Sequence, residues 1–291
     1  MPAPDDQADL RTTPGWFPEP RDLVRVAGPD AITYVQGQLS QDVEALAVGA
    51  SARSFVLQPA GKVDAWVRVT RTADDEVVLD VDGGFGEAVV ARLRRFLLRT
   101  KADVDALDWS CIAVRGPGAA GVAAPDDTLT VDAGWPGVEG IDLLGPSVPP
   151  PADQPEVGAD DYESLRIRSG VPRMGAELTD RTIPAEAGQW VIDTSVSFTK
   201  GCFTGQELVA RIDSRGGNVP RQLRGLVLPG ADAPPADAAV VVDGDEVGTV
   251  TSVARTVALA YIGRRITPPA AAEVRFGERA VPATVVDLPM E

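Results

Sequence analysis

Six short strand candidates follow one another near the end of the chain, at residues 223–228, 239–242, 247–252, 257–262, 274–276 and 281–286. Asp243-Gly244-Asp245 separates the second from the third with the residue types of a tight hairpin turn. Strands this short, with no helix-period segment among them, bury an apolar face only if the sheet curls onto itself. A small antiparallel barrel of six strands is therefore predicted for residues 221–291. Upstream the pattern is mixed. Helical periodicity runs through residues 85–98, where Phe85, Val89, Leu93, Phe96 and Leu97 share a side, and a shorter helix is predicted at 162–168. Strand patterns fall at 23–26, 55–57, 63–69, 77–81, 109–114 and 191–196. The two do not alternate cleanly enough for a doubly wound sheet, so the class is α+β. Residues 1–20, rich in Pro and Asp, read as a flexible arm on which Trp16 and Phe17 could dock. Five prolines between residues 145 and 160 mark an extended crossing inside the main module, residues 21–220.

Composition removes several chemistries. The chain of 291 residues has no histidine. That excludes Ser-His-Asp and Cys-His hydrolysis and imidazole-based zinc sites. Acid–base work is left to Asp, Glu, Lys, Tyr and Cys. The two cysteines, Cys111 and Cys202, cannot supply a four-thiolate cluster or zinc site within one chain, nor a disulfide framework. The formal charge of −16 repels phosphate backbones and anionic bilayers, so neither nucleic acid nor membrane is an expected direct partner. No apolar run reaches the length of a membrane span and the start lacks a secretory pattern, so a reducing cytoplasm is the expected setting. Cys111, inside a strand pattern, is expected to be an inert core residue.

Chemistry concentrates in Lys200-Gly201-Cys202-Phe203-Thr204-Gly205-Gln206-Glu207-Leu208. Gly201 and Gly205 permit tight turning and close approach of a flat ligand. Thr204 and Glu207 have the spacing of a capping box at the start of a helix. Lys200 and the helix start would favour a Cys202 thiolate. A capped helix with a half-buried cysteine is the other reading of the same residues. Downstream, Arg211 and Arg215 flank a polar, Gly-rich stretch that is either a ligand-closing loop or a connector. Asp64, beside the turn Ala60-Gly61-Lys62, and Glu177, in a Gly-framed loop, are either ligand acceptors or solvated acids.

The segment Lys200 to Glu207 resembles the signature of YgfZ-type proteins, relatives of the glycine-cleavage T-protein, an aminomethyltransferase. Gly28-Pro29-Asp30-Ala31, Gln36-Gly37-Gln38-Leu39 with Asp42, Pro59-Ala60-Gly61-Lys62-Val63 and Gly248-Thr249-Val250-Thr251-Ser252 agree with it in order. The resemblance implies a two-lobed amino-terminal module and a carboxy-terminal barrel around a folate pocket, with tetrahydrofolate or a one-carbon derivative as ligand. It also implies support of iron–sulfur cluster assembly or repair in client enzymes, tRNA-modifying enzymes among them, with iron–sulfur clients or assembly proteins as partners. Cys202 and Lys200 would then be the reactive pair. Asp64, Glu177, Gly201, Gly205, Gln206, Glu207, Arg211 and Arg215 would contact the folate. Two departures from T-proteins argue against aminomethyl transfer. The Gly61-Lys62-Val63-Asp64 stretch holds one acid where T-proteins have two, and Arg168 stands where they carry a folate-contacting glutamate. An arginine cannot accept a ring N–H, so Glu177 is the substitute acid expected. The alternatives are an active aminomethyltransferase acting on a lipoyl carrier protein and a folate-independent interaction scaffold.

Overall fold

A computed structural model describes residues 9–230 and 233–290. The first eleven strands and helices are β1 (Gly15–Pro18), β2 (Arg21–Ala27), α1 (Ala31–Gln38), β3 (Ser51–Leu57), β4 (Val63–Ala73), β5 (Glu76–Asp82), α2 (Gly86–Arg94), β6 (Asp103–Leu107), β7 (Ser110–Arg115), β8 (Leu129–Asp132) and β9 (Gly140–Gly145). They build two sheets, one of five strands in the order β3-β4-β5-β2-β6 and one of four in the order β1-β7-β9-β8. Alternation along β4 explains how these sheets create a site. Val63, Ala65, Val67 and Val69 enter the apolar core. The opposite face, which carries Trp66 and Arg68, is buried as well. A strand with both faces covered must hide its polar side chains among partners.

Three helices follow, α3 (Ala159–Ser169), α4 (Gln189–Ser195) and α5 (Gln206–Asp213), and then β10 (Arg221–Val227), β11 (Ala239–Val242), β12 (Asp245–Ala254), β13 (Val257–Gly263), β14 (Ala270–Phe276) and β15 (Arg279–Val286). The last six close into an antiparallel barrel in the order β10-β13-β12-β11-β14-β15. Ala258, Ala260 and Ile262 of β13 fill the barrel, while Val257, Leu259 and Tyr261 pack outward with Ile167 of α3. Both faces of β13 are thus apolar, and its outer face docks the barrel on the amino-terminal module. The β11–β12 turn at Asp243-Gly244 adopts positive φ at both residues, 52° and 90°, as a twisted two-residue hairpin requires.

Several sequence expectations need correction. Residues 191–195 are the end of helix α4, with Val196 as its C-cap, and not a strand. A short apolar run carries no period that separates the two, and here Val191, Ile192 and Ser195 are the buried side. The helix expected over 85–98 stops at Arg94. Of the expected flexible arm 1–20, residues 1–8 lie outside the described residues, and Gly15–Pro18 is a strand paired antiparallel with β7. Phe17 stacks on Tyr162 at 4.4 Å and the Trp16 indole donates to the Gln154 carbonyl at 3.1 Å. The expected capping box does not form. Asp30 accepts the Lys101 N–H instead of capping α1, and α5 begins after Gly205 without a side-chain cap.

Candidate functional site

The expected site residues do not converge on one cavity. The first place is the loop around Cys202. Its sulfur-bearing residue is exposed, while its frame is rigid. Gly205 takes φ +81°, and a Cβ there would strike the Gln58 carbonyl and come within 2.8 Å of Leu57 Cβ. Gly61 faces it, and a Cβ on Gly61 would lie 2.5 Å from Leu208 Cβ. The two turns therefore interlock because both lack side chains. The Thr204 N–H donates to the Gly37 carbonyl and the Phe203 N–H to Gln206 Oε1 at 3.1 Å. Gly205 and Gln206 thus shape this loop. Gly201 and Glu207 are exposed at its edges.

Lys200 is committed elsewhere, which corrects its assignment as a reactive partner of Cys202. Its ammonium donates to the carbonyls of Gln36, Leu39 and Gln41 at 2.6, 2.7 and 2.8 Å. These carbonyls close the carboxy-terminal end of α1, where a cation also suits the helix dipole. Burial draws the Lys200 pKa down to about 8. The three acceptors oppose that by using all three ammonium protons. Lys200→Met leaves them without a donor and is expected to cost about 2 kcal/mol of stability in urea unfolding. A loss below a few tenths would contradict this role.

The second place holds Asp64. It pairs with Arg92 at 3.2 Å, and Arg92 also donates to Gln38 Oε1 and the Leu57 carbonyl. Together with Val56, Val89 and Arg95 they line a groove of about 320 Å³ beside α2. Arg211 and Arg215, on and after α5, are exposed.

The third place is the junction of the module with the barrel, and it removes Glu177 from the ligand set. Glu177 is fully buried. Its Oε2 accepts from Arg166 at 3.2 Å and from the Arg173 N–H at 3.0 Å, and its Oε1 from Thr251 at 2.7 Å and Ser252 at 2.6 Å. The Tyr261 hydroxyl donates to the Glu177 carbonyl at 2.9 Å. A carboxylate with four donors has no capacity left for a ring N–H. Its partners Thr251, Ser252 and Tyr261 come from the barrel, so Glu177 ties the barrel to the module.

Sequence reasoning missed the cavity at the centre of the module. Its walls include Glu19, Arg53, Trp66, Arg68, Arg115, Trp135, Asp142, Tyr162, Arg166 and Arg173. None of the ten expected site residues lines it. Arg68 bridges Asp80 at 2.9 Å and Asp142 at 2.7 Å, and Arg115 pairs with Asp142 at 2.7 Å. These guanidiniums overcome the cost of burial and hold the carboxyls of Asp80 and Asp142 below the usual range. Arg53 differs. It stands directly across from Arg68 in the β3–β4 ladder, lies over the Trp66 ring at 4.4 Å, and donates to the Ala133 carbonyl at 2.6 Å. No carboxylate pairs with it among the described residues. Burial and the like charges of Arg68 and Arg21 pull its pKa down to about 9. Arg168 lines a different groove, with Asp9, Arg11, Asp161 and Arg255. Cys111 is buried as expected, and burial pushes its thiol well above the ordinary range.

Residues 221–290 match the family model described as the glycine cleavage T-protein C-terminal barrel domain. An uncharacterized protein of Haemophilus influenzae is 31% identical over 198 residues, which cover 67% of each chain. A tRNA-modifying protein YgfZ of Edwardsiella ictaluri is 26% identical, covering 70% of this chain and 66% of its own. An iron–sulfur cluster assembly factor IBA57 homolog of Chaetomium globosum is 27% identical over 81% of this chain and 62% of its own. The chain belongs to the YgfZ-type family. Its fold is that of the T-protein. The crystal structure of the glycine cleavage system aminomethyltransferase T from Bartonella henselae superposes with a TM-score of 0.80 over 97% of this chain and 88% of the other, at 21% identity. The central cavity has aromatic walls, guanidinium side chains and the carboxylate of Glu19, and its free space of about 30 Å³ holds a water and not a bicyclic ring such as a pterin.

Proposed function

We propose that this protein is a folate-binding accessory factor that supports the assembly or repair of iron–sulfur clusters in client enzymes, tRNA-modifying enzymes among them. One observation carries the reading: Cys202 is an exposed thiol on a loop fixed by two interlocked glycine turns. A partner protein can reach it. Phe198, four residues earlier, leaves 48% of its surface in solvent and adds an apolar contact on the same stretch. A single thiolate supplies one ligand to a cluster in transit, the client supplying the others. No group of three or more His, Cys, Asp or Glu side chains able to hold a metal is present among the described residues. With a net charge of −16, contact with tRNA runs through the client enzyme.

Aminomethyl transfer is the second reading, favoured by the fold and by sequence likeness to aminomethyltransferases. The one acid of the Gly61 turn is ion-paired with Arg92, and the position of the T-protein glutamate is Arg168. A glycine-cleavage assay with purified partner proteins separates the two. Background turnover is expected, and turnover rising with this protein would overturn the proposal. Calorimetric titration with 5-formyltetrahydrofolate tests the ligand. Saturable binding is expected, and none at millimolar ligand would remove folate and leave an interaction scaffold.

A further inference from the structure

The residues that end α2 carry charge opposite to the rest of the chain. Residues 92–101 hold Arg92, Arg94, Arg95, Arg99 and Lys101 and no Asp or Glu, in a chain of net charge −16. Two of these cations are committed. Arg92 pairs with Asp64, and Arg94 holds the Val104 carbonyl and Asp105. Arg95, Arg99 and Lys101 are exposed and make no ion pair among the described residues. Arg99 stands at φ +61°, a left-handed position that glycine fills at lower cost. Among these cations, Phe96 leaves 41% and Leu98 86% of its surface in solvent. Neighbouring large apolar side chains set among unpaired charges mark a surface that a partner covers. Beside them lies the groove of about 320 Å³, floored by Val56, Ala65, Ala88 and Val89 and edged by Arg92 and Arg95. Arg92 also lies over the Phe96 ring at 4.1 Å. Short contacts join this region to the Cys202 loop. Arg92 donates to Gln38 Oε1 at 3.1 Å and to the Leu57 carbonyl at 3.3 Å. The Thr204 N–H reaches the Gly37 carbonyl at 3.2 Å, and Gly205 lies against Leu57.

We propose that the end of α2 is a docking face for a partner protein, and that it takes an acidic segment bearing a large apolar side chain. The partner's carboxylates meet Arg95, Arg99 and Lys101, and its apolar side chain enters the groove beside Phe96. This rests on the accessory-factor reading and deepens it by giving the client a point of attachment next to the Cys202 loop. Charge complementarity decides the occupant. An acidic segment is drawn to the one run of cations and repelled from the rest of the surface, which fixes where it lands. RNA is the poorer fit. Its long phosphate backbone meets the acidic surface beyond the cations, and a groove floored by valine and alanine offers no aromatic platform for a base.

The test is fluorescence anisotropy on the full chain with a labelled peptide of glutamate and leucine, and with a second peptide in which glycine replaces leucine. The wild type is expected to bind the first peptide and to hold the second about tenfold more weakly, as loss of a buried apolar side chain implies. Reversing the three free cations together, Arg95→Glu, Arg99→Glu and Lys101→Glu, is expected to weaken binding about 30-fold. Leu98→Asp is expected to weaken it about fivefold. Cys202→Ser is expected to bind as the wild type does, so the docking face and the role of the thiol fail separately. In cells lacking their YgfZ-type protein, the triple variant is expected to restore about a tenth of the iron–sulfur enzyme activity that the wild type restores. No binding by the wild type at millimolar peptide, equal affinity for the two peptides, or full restoration by the triple variant would overturn the docking face. Two further results would reassign it: tRNA bound more tightly than the peptide and lost in the triple variant, or a wild-type dimer that the triple variant dissolves. Were the triple variant to fail to fold, Leu98→Asp decides, and unchanged affinity there refutes the proposal.

Discussion

Glu177→Ala lowers the free energy of unfolding by about 4 kcal/mol, the expected cost of removing one of two counter-charges from a buried cation together with the acceptor of three further donors. Arg166 is 2% exposed and keeps Glu163, at 2.6 Å, as its ion-pair partner and the Val171 carbonyl as an acceptor when Glu177 is lost. The same change strands the Arg173 N–H and the hydroxyls of Thr251 and Ser252 at the barrel junction. Apolar contacts of β13 with Ile167 remain, so the barrel is expected to stay folded while its coupling to the module weakens. Urea unfolding followed by tryptophan fluorescence reads the module, because Trp66 and Trp135 lie in its core cluster and Trp190 packs against it. A second, separate transition by circular dichroism then reports the barrel. A loss under 1 kcal/mol with a single transition would contradict the role given to Glu177.

Asp142→Ala is expected to cost a similar amount, about 4 kcal/mol near neutral pH, and the cost is expected to shrink in acid. Asp142 serves two guanidiniums, Arg68 and Arg115, which are 3% and 2% exposed. Its folded-state carboxyl titrates below its unfolded value, as does that of Asp80. The unfolded state therefore binds more protons between those two values. Stability from the pair is complete above the unfolded carboxyl range, about pH 4, and falls as pH drops through and below it. The variant has lost one of the two carboxylates, so its stability falls less steeply over the same window. Equal slopes for variant and wild type below pH 4 would show that Asp142 is not held ionised by these arginines.

The barrel was legible because its strands are short, regularly spaced and separated by turn residues. The α+β class followed from mixed periods upstream. The interlocked loop was legible in part. Gly205 was read as permitting close approach of a ligand and Gly61 only as part of a turn, but the approaching atoms belong to the chain itself: Leu208, Leu57 and the Gln58 carbonyl. Lys200 shows why a local reading assigns partners wrongly. Its nearest neighbours in sequence include Cys202, whereas its ammonium reaches carbonyls about 160 residues away in the chain. Glu177 shows the same limit. Whether a carboxylate is saturated or open depends on residues from other elements, and no spacing rule encodes that. One signal was available for the central cavity. Arg68 interrupts the apolar face-sharing of β4 beside Trp66, and a charge at such a position implies a buried polar network.

Cys202 is the residue on which the proposed function turns. Cells lacking their YgfZ-type protein and supplied with this chain, or with Cys202→Ser, are to be assayed for the activity of an iron–sulfur enzyme under oxidative load. The side chain is exposed, so the serine variant is expected to unfold within about 0.5 kcal/mol of the wild type. The wild type is expected to restore enzyme activity and the variant to fall at least about tenfold short, as loss of a thiolate nucleophile or ligand implies. Full restoration by Cys202→Ser at equal protein level would contradict the account.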